Sequence, residues 1–136
     1  MKVERRLYRI LDANFNRAKE GLRVCEDICR YAWDQKTLTR GFKDLRQALT
    51  ETIRPLGMPG ILAARDIGKD VGKATSTLES SRRDLAAVFS ANCQRVKESL
   101  RVLEEILKLI DPAAAQRVKS LRYRSYALEQ KSLKIR

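Results

Sequence analysis

Two stretches of the chain carry the same polar side chains at the same spacing. Asn14, Arg17 and Glu20 stand three apart, and 78 residues further on Asn92, Arg95 and Glu98 repeat them. Arginine presents a planar fork of donors that matches phosphate oxygens, and glutamate is a hard oxygen ligand suited to magnesium. With asparagine, which both donates and accepts, the set suits a phosphorylated ligand and the charge that moves in phosphoryl transfer. The chain contains no histidine. That excludes Ser-His-Asp and Cys-His mechanisms and any histidine acid or base. A zinc site is not expected either. Cys25, Cys29 and Cys93 fall on or beside apolar helix positions and read as small buried hydrophobes in a reducing compartment. The segment Gly68-Lys-Asp-Val-Gly72-Lys73-Ala74 superficially resembles a phosphate loop. It is one residue short between the glycines, has no Ser or Thr after Lys73 and follows no strand, so it is not read as one.

The elements that must position these groups are helices. With 43% hydrophobic and 34% charged residues and few Gly or Pro, the 136-residue chain has the composition of amphipathic helices in one domain. From about Val3 to Trp33, Leu7, Ile10, Leu11, Phe15, Ala18, Leu22, Cys25, Cys29 and Ala32 recur at helical spacing. Leu38, Phe42, Leu45, Leu49 and Ile53 mark a second helix that must stop near Pro55. Residues 55–75 are broken by Pro55, Gly57, Pro59, Gly60, Gly68 and Gly72 and read as a long connection, with Ile61-Leu62-Ala63-Ala64 packing down. Ser76 or Ser81 offers an N-cap, with Glu79 or Asp84 three positions on, for a third helix reaching Ile110. Asp111-Pro112 opens a fourth helix to about Lys131, ahead of a basic tail, 132–136.

Residues 13–28 and 91–106 are identical at ten of sixteen positions, and Lys43, Leu45 and Arg46 answer Lys119, Leu121 and Arg122 once two residues are dropped. The repeated unit is therefore a whole hairpin, about 3–54 and again about 76–131. Neither copy can bury its apolar face alone. The expected fold is all-α, a four-helix bundle-like domain of two hairpins packed face to face. At 100° per residue Asn14 and Gly21 project toward the apolar face, with Arg17 and Glu20 on its flank. A buried amide needs a partner. Either a polar network between the two related helices supplies it, or the residues line a polar pocket at their interface.

Net charge is +12, about +5 in residues 1–50, +1 in 51–116 and +6 in the last twenty. Such a surplus attracts anions, whether nucleic acid, an acidic membrane surface or small phosphates. No apolar run approaches a membrane span, and the start Met-Lys-Val-Glu-Arg-Arg lacks the apolar stretch of a signal peptide, so a soluble cytoplasmic protein without membrane contact is expected.

Several motifs occur in order: Asp12-Ala-Asn-Phe-Asn-Arg-Ala-Lys-Glu-Gly-Leu-Arg-Val, Ala64-Arg-Asp66, Asp70-Val-Gly72, Arg82-Arg-Asp84-Leu, Ala91-Asn92 to Leu103-Glu-Glu105, and Leu121-Arg-Tyr-Arg-Ser-Tyr126. Together they resemble the short helical hydroxymethylpyrimidine phosphate kinase family, whose members also occur fused ahead of thiamine phosphate synthase. The resemblance covers nearly the whole chain. It implies an ATP-dependent kinase that converts 4-amino-5-hydroxymethyl-2-methylpyrimidine phosphate to the diphosphate in thiamine biosynthesis, with Mg2+. Carried onto this chain, it implies Arg17, Arg95, Arg65 and Arg83 on phosphates and Glu20 and Glu98 on magnesium. Asn14, Asn92 and Asp70 would hold substrate or nucleotide edges, and Gly72 would allow close backbone approach or a positive φ. Arg65 to Gly72 would complete a pocket between the two facing helices. Tyr123 and Tyr126 are expected in the core rather than stacked on the pyrimidine. No synthase domain follows, so coupling to thiamine phosphate synthase is expected to use a separate chain, and a homo-oligomer is expected from the symmetric fold. Two other classes compete: a non-catalytic module that binds a thiamine intermediate or docks on the synthase, and a basic nucleic-acid binder. The last lacks a recognition motif, so nucleic acid is not expected as a partner.

Overall fold

The computed structural model describes residues 2–75 and 81–135. Helix α1, Lys2–Asp27, runs on into a π-helical turn, Ile28–Ala32, before the chain reverses at Asp34, whose φ of 51° is left-handed. Helix α2, Lys36–Ile53, gives way at Pro55 to a 3-10 turn, Arg54–Leu56, because proline has no N–H and clashes with the preceding turn. Gly57, at φ 95°, then redirects the chain into a short helix α3, Met58–Ala63. Helix α4, Leu85–Leu107, and α5, Pro112–Ser132, complete the described helices.

The caps of the second hairpin are aspartates. Asp84 accepts from the Ala87 amide at 2.8 Å and Asp111 from the Ala114 amide at 3.1 Å, each satisfying a first-turn donor at a gain of about 1 kcal/mol. Ser81 therefore does not cap α4, which starts after Asp84. The alternative pair, Ser76 and Glu79, lies outside the described residues. Helix α4 also stops at Leu107, three residues before the expected Ile110.

The four long helices close a ring: α1 packs on α2 and α4, and α5 packs on α4 and α2. Phe15, Leu22, Phe42, Leu49, Phe89, Leu100 and Leu103 fill the centre, each almost wholly buried, so the duplicated hairpins share one core. Phe89 lies edge-on to Phe42 at 5.7 Å and against Trp33 at 5.0 Å, joining the two hairpins at one end. Where α1 meets α4, Gly21 permits the approach. A Cβ there would stand 2.8 Å from Val96 Cγ2 and 3.2 Å from the Asn92 carbonyl oxygen.

Each hairpin is pinned by the same ion pair. Glu26 accepts from Arg46 Nε and Nη2 at 3.1 and 3.0 Å, and 78 residues on Glu104 accepts from Arg122 Nε at 3.1 Å, with Arg122 Nη2 3.0 Å away in the ion pair. Part of the internal identity thus belongs to hairpin architecture. Arg122 also donates to the Tyr126 hydroxyl at 2.9 Å. Tyr123 and Tyr126, expected from sequence in the core, are instead 57% and 43% exposed, flanking the Arg122 guanidinium on the outer face of α5. Buried Arg122 and Ser125 occupy the inward positions beside them.

Candidate functional site

The connection does not lie free. Helix α3 packs on α1, with Ile61 and Ala64 buried, and this seats the following residues over the first half of α1. Arg65 reaches Asp12 in a two-point contact, Nε to Oδ2 at 2.8 Å and Nη2 to Oδ1 at 2.8 Å. Arg9 Nη2 donates to the Asp66 carbonyl at 3.0 Å, a second tie between the helix and the connection. The Asp66 carboxylate accepts from the Lys69 amide, and Asp70 accepts from the Gly72 amide at 2.9 Å, which folds residues 66–72 into consecutive tight turns.

Between these turns and α1 opens a cleft of about 630 Å³. Arg6, Arg9, Arg17 and Arg65 line it together with Asp12, Glu20, Asp66 and Asp70, while Ile10 and Ile67 give it apolar patches. The Asn14 side chain is buried to 5% exposure, donates to the Ile10 carbonyl at 3.0 Å, and holds its Oδ1 3.5 Å from Arg17 Nη1. Its amide partner is thus its own helix. Asn92 does the same with Val88 at 2.9 Å, so no amide bridge joins the two related asparagines.

Charge is arranged unevenly within the cleft. Asp12 holds the Arg65 guanidinium protonated above its ordinary range, first by hydrogen bonding and then by its charge, with Glu20 adding to it. Arg65 spends two donors on Asp12 and leaves Nη1 for another acceptor. Neither Arg6 nor Glu20 makes a hydrogen bond or ion pair among the described residues. A phosphorylated ligand would find arginine donors there, and a hard cation carried with it would find Glu20 and Asp70. No group of three or more Asp, Glu, Cys or His able to hold a metal occurs among the described residues. Magnesium still fits, since it is commonly bound through one or two carboxylates plus substrate phosphates.

Of the residues singled out from sequence, the cleft gathers Asn14, Arg17, Glu20, Arg65 and Asp70. The second copies stand apart. Glu98 accepts from Gln94 at 2.9 Å in a smaller hollow of about 230 Å³ with Lys97, Arg101, Arg122 and Tyr126. Asn92 packs against Gly21, Arg95 is exposed, and Arg83 lies beside Asp84 at 3.7 Å ahead of α4. The cleft is therefore on the flank of α1, closed by the connection, rather than between α1 and α4, where Gly21 brings the backbones too close. Gly72 does not have a positive φ, and a Cβ there would meet Asp70 Oδ1 at an ordinary 3.7 Å. Sequence reasoning passed over Arg6, Arg9, Asp12, Asn16 and Asp66. For Arg6, Arg9 and Asn16 the signal was a stripe, Arg6, Arg9, Ala13, Asn16 and Glu20, polar but for Ala13 and recurring at three and four on one side of α1; Asp12 and Asp66 carried no such signal. In the second copy Arg6, Arg9 and Asp12 become Asp84, Ala87 and Ser90.

Among the described residues no helix is long and apolar enough to cross a membrane. The profile of the ThiD2 family matches residues 9–131. Among curated proteins, thiamine-phosphate synthase of Synechocystis sp. is 51% identical over 122 residues, covering 89% of this chain and 34% of that protein. The thiamine-phosphate synthases of Thermosynechococcus vestitus and Rhodopirellula baltica are 48% and 40% identical, over 92% and 90% of this chain and 35% and 33% of theirs. The chain spans about a third of the length of these relatives. No solved structure matches it.

Proposed function

The chain belongs to the ThiD2 family, and we propose that it is an ATP-dependent kinase of thiamine biosynthesis. It converts 4-amino-5-hydroxymethyl-2-methylpyrimidine phosphate to the diphosphate in the cleft between α1 and the connection. The observation that carries this reading is that cleft: four arginines and four carboxylates around about 630 Å³, in a chain with no histidine. The names of the relatives, all thiamine-phosphate synthases, support the pathway.

An oxygen of the substrate's phosphate attacks the γ-phosphorus of ATP, the bond from that phosphorus to the β,γ-bridging oxygen breaks, and ADP departs with the electron pair. The attacking oxygen is already ionised near neutral pH, so the protein needs no strong base. It must align two polyanions in line and offset their repulsion. Arg6 and Arg17 supply guanidinium groups to the phosphates. Arg65, oriented by Asp12, adds a third through Nη1. Asn14 and Asp70 hold polar edges of the substrate or nucleotide, and Ile10 and Ile67 give its ring apolar cover. Glu20 and Asp70, which line the same cleft, would hold magnesium, and its charge would offset that of the nucleotide phosphates.

The test compares variants across the repeat in an ATP and magnesium assay with the pyrimidine monophosphate. Arg17→Ala and Glu20→Gln are expected to lower kcat by roughly 10²-fold or more, while Arg95→Ala and Glu98→Gln stay within about threefold of wild type. Equal losses in both repeats, or none in either, would reject this cleft as the site.

A further inference from the structure

A second concave surface lies at the other end of the first hairpin. The chain reverses from α1 into α2 through the π-helical turn and the left-handed Asp34, and beside this reversal lies a cleft of about 570 Å³. Arg30, Lys36, Arg40 and Lys43 line it, with Asp34 and Asp44. It shares no lining residue with the cleft on the flank of α1. Arg30 and Arg17 are thirteen residues apart along α1 and the π-helical turn that continues it, roughly 20 Å at helical rise. That is far beyond in-line transfer distance, so a ligand here is not one of the reacting pair.

Its charges are placed against local electrostatics. Lys36 and Arg40 stand in the first two turns of α2, where the helix already presents its positive end, and no acidic residue occupies the first turn. Lys36 and Arg40 are four apart and Arg40 and Lys43 three apart, so like charges neighbour one another along the rim of one hollow. Ion pairing does not relieve them. None of the four cations forms an ion pair among the described residues, although Asp34 and Asp44 line the same cleft; Arg30 rests on the Tyr31 ring at 4.8 Å. The hollow has the volume of a small-molecule site and is not an extended track. Unpaired cations such as Arg6 occur elsewhere among the described residues too, and other basic side chains are committed, Arg46 and Arg122 to glutamates, Arg65 to Asp12 and Lys97 to Glu129; what sets these four apart is that they gather around one hollow.

We propose that this cleft is a second anion site, taking a small di- or triphosphate across Arg30, Lys36, Arg40 and Lys43, separate from the site of phosphoryl transfer. Gln47 lines the same hollow and offers a neutral donor beside the cations, while the Thr39 hydroxyl donates to the Gln35 carbonyl at 2.8 Å. The site stands whether or not the kinase assignment does, because it uses none of its residues.

The experiment is an amide chemical-shift titration of the labelled full chain with inorganic diphosphate at about 150 mM salt, where loose surface attraction is screened. Amides of residues 35–43 are expected to shift saturably. The exposed pair Arg40→Gln with Lys43→Gln should weaken that binding about tenfold, as loss of charge-assisted hydrogen bonds does, while Arg17→Gln leaves it unchanged. Shifts that do not saturate, that move in parallel with the basic segment 117–124, or that survive the double variant would overturn the proposal. So would tighter binding of a single-stranded oligonucleotide than of diphosphate at these same amides, which would make the surface a nucleic-acid contact.

Discussion

Removing Glu104 should cost the fold more than removing its counterpart Glu26, although each glutamate holds the arginine of its own hairpin in an ion pair at 3.0 Å. Glu104 and Arg122 are each 8% exposed at the side chain, whereas Arg46, the partner of Glu26, is 20% exposed. In Glu104→Ala the Arg122 guanidinium stays inside with only the Tyr126 hydroxyl as acceptor. An uncompensated buried charge costs about 3–5 kcal/mol. In Glu26→Ala, Arg46 can swing to water, and the loss falls toward the ~1.5–3 kcal/mol of a charged hydrogen bond. Unfolding entropy of about 2.1 cal/mol/K per residue gives a chain of this length roughly 0.3 kcal/mol/K at Tm. The two variants should therefore lose about 10–17 °C and about 5–10 °C respectively. Urea denaturation followed by circular dichroism reads the same difference as a shift in midpoint at constant slope. Replacing both Glu104 and Arg122 by Met should recover most of the loss, because no lone charge remains. Equal losses in the two single variants, or a loss under about 1 kcal/mol in Glu104→Ala, would refute the burial argument.

Asp12→Asn should leave the fold within about 1 kcal/mol of wild type, since Arg65 is 43% exposed, yet raise KM for the pyrimidine phosphate about tenfold through loss of Arg65's orientation; an unchanged KM contradicts it. Gly21→Val should destabilise by about 2–3 kcal/mol in urea, because its Cβ alone would stand 2.8 Å from Val96 Cγ2; a variant as stable as wild type would mean that α1 and α4 separate freely. The thiols supply a pH prediction. Burial pushes Cys29 up to about 11, and hydrogen bonding with Cys93 together with burial pushes Cys25 well above its ordinary value. A pKa raised by folding means that the folded chain holds the proton more tightly, so this stability is present below about pH 9 and is lost as pH rises through about 11. The decline over that window should be smaller in Cys29→Ala, and native thiols should resist alkylation at pH 8; rapid modification of all three would contradict their burial.

Helix identity was legible because the apolar residues repeat without interruption. Leu11, Phe15, Ala18, Leu22 and Cys25 are all wholly or almost wholly buried, as their spacing predicts. The duplication also disclosed two hairpins. What it could not disclose is that the copies diverge in use. Identity between Glu26 and Glu104 and between Arg46 and Arg122 reflects a shared ion pair, whereas Asn14, Arg17 and Glu20 gain a cleft only because α3 brings Arg65 and Asp70 over α1. That docking depends on Ile61 and Ala64, two residues in a segment whose prolines and glycines carry no period. Tyr123 and Tyr126 misled for a related reason: aromatic residues at helical spacing suggest a core, but after Val118 and Leu121 the inward positions of α5 pass to polar residues, Arg122 and Ser125. The caps were missed at α4 because Asp84 is followed by Leu85 directly, and serines upstream matched the capping-box spacing equally well.

The most direct test of phosphoryl transfer in the α1 cleft is phosphorus NMR of the wild-type chain with ATP, magnesium and 4-amino-5-hydroxymethyl-2-methylpyrimidine phosphate. A catalytic cleft of this kind gives one pyrimidine diphosphate for each ADP, and neither signal grows when the pyrimidine phosphate is left out. ATP that stays intact, or ADP that accumulates with free phosphate and no pyrimidine diphosphate, would contradict the assignment.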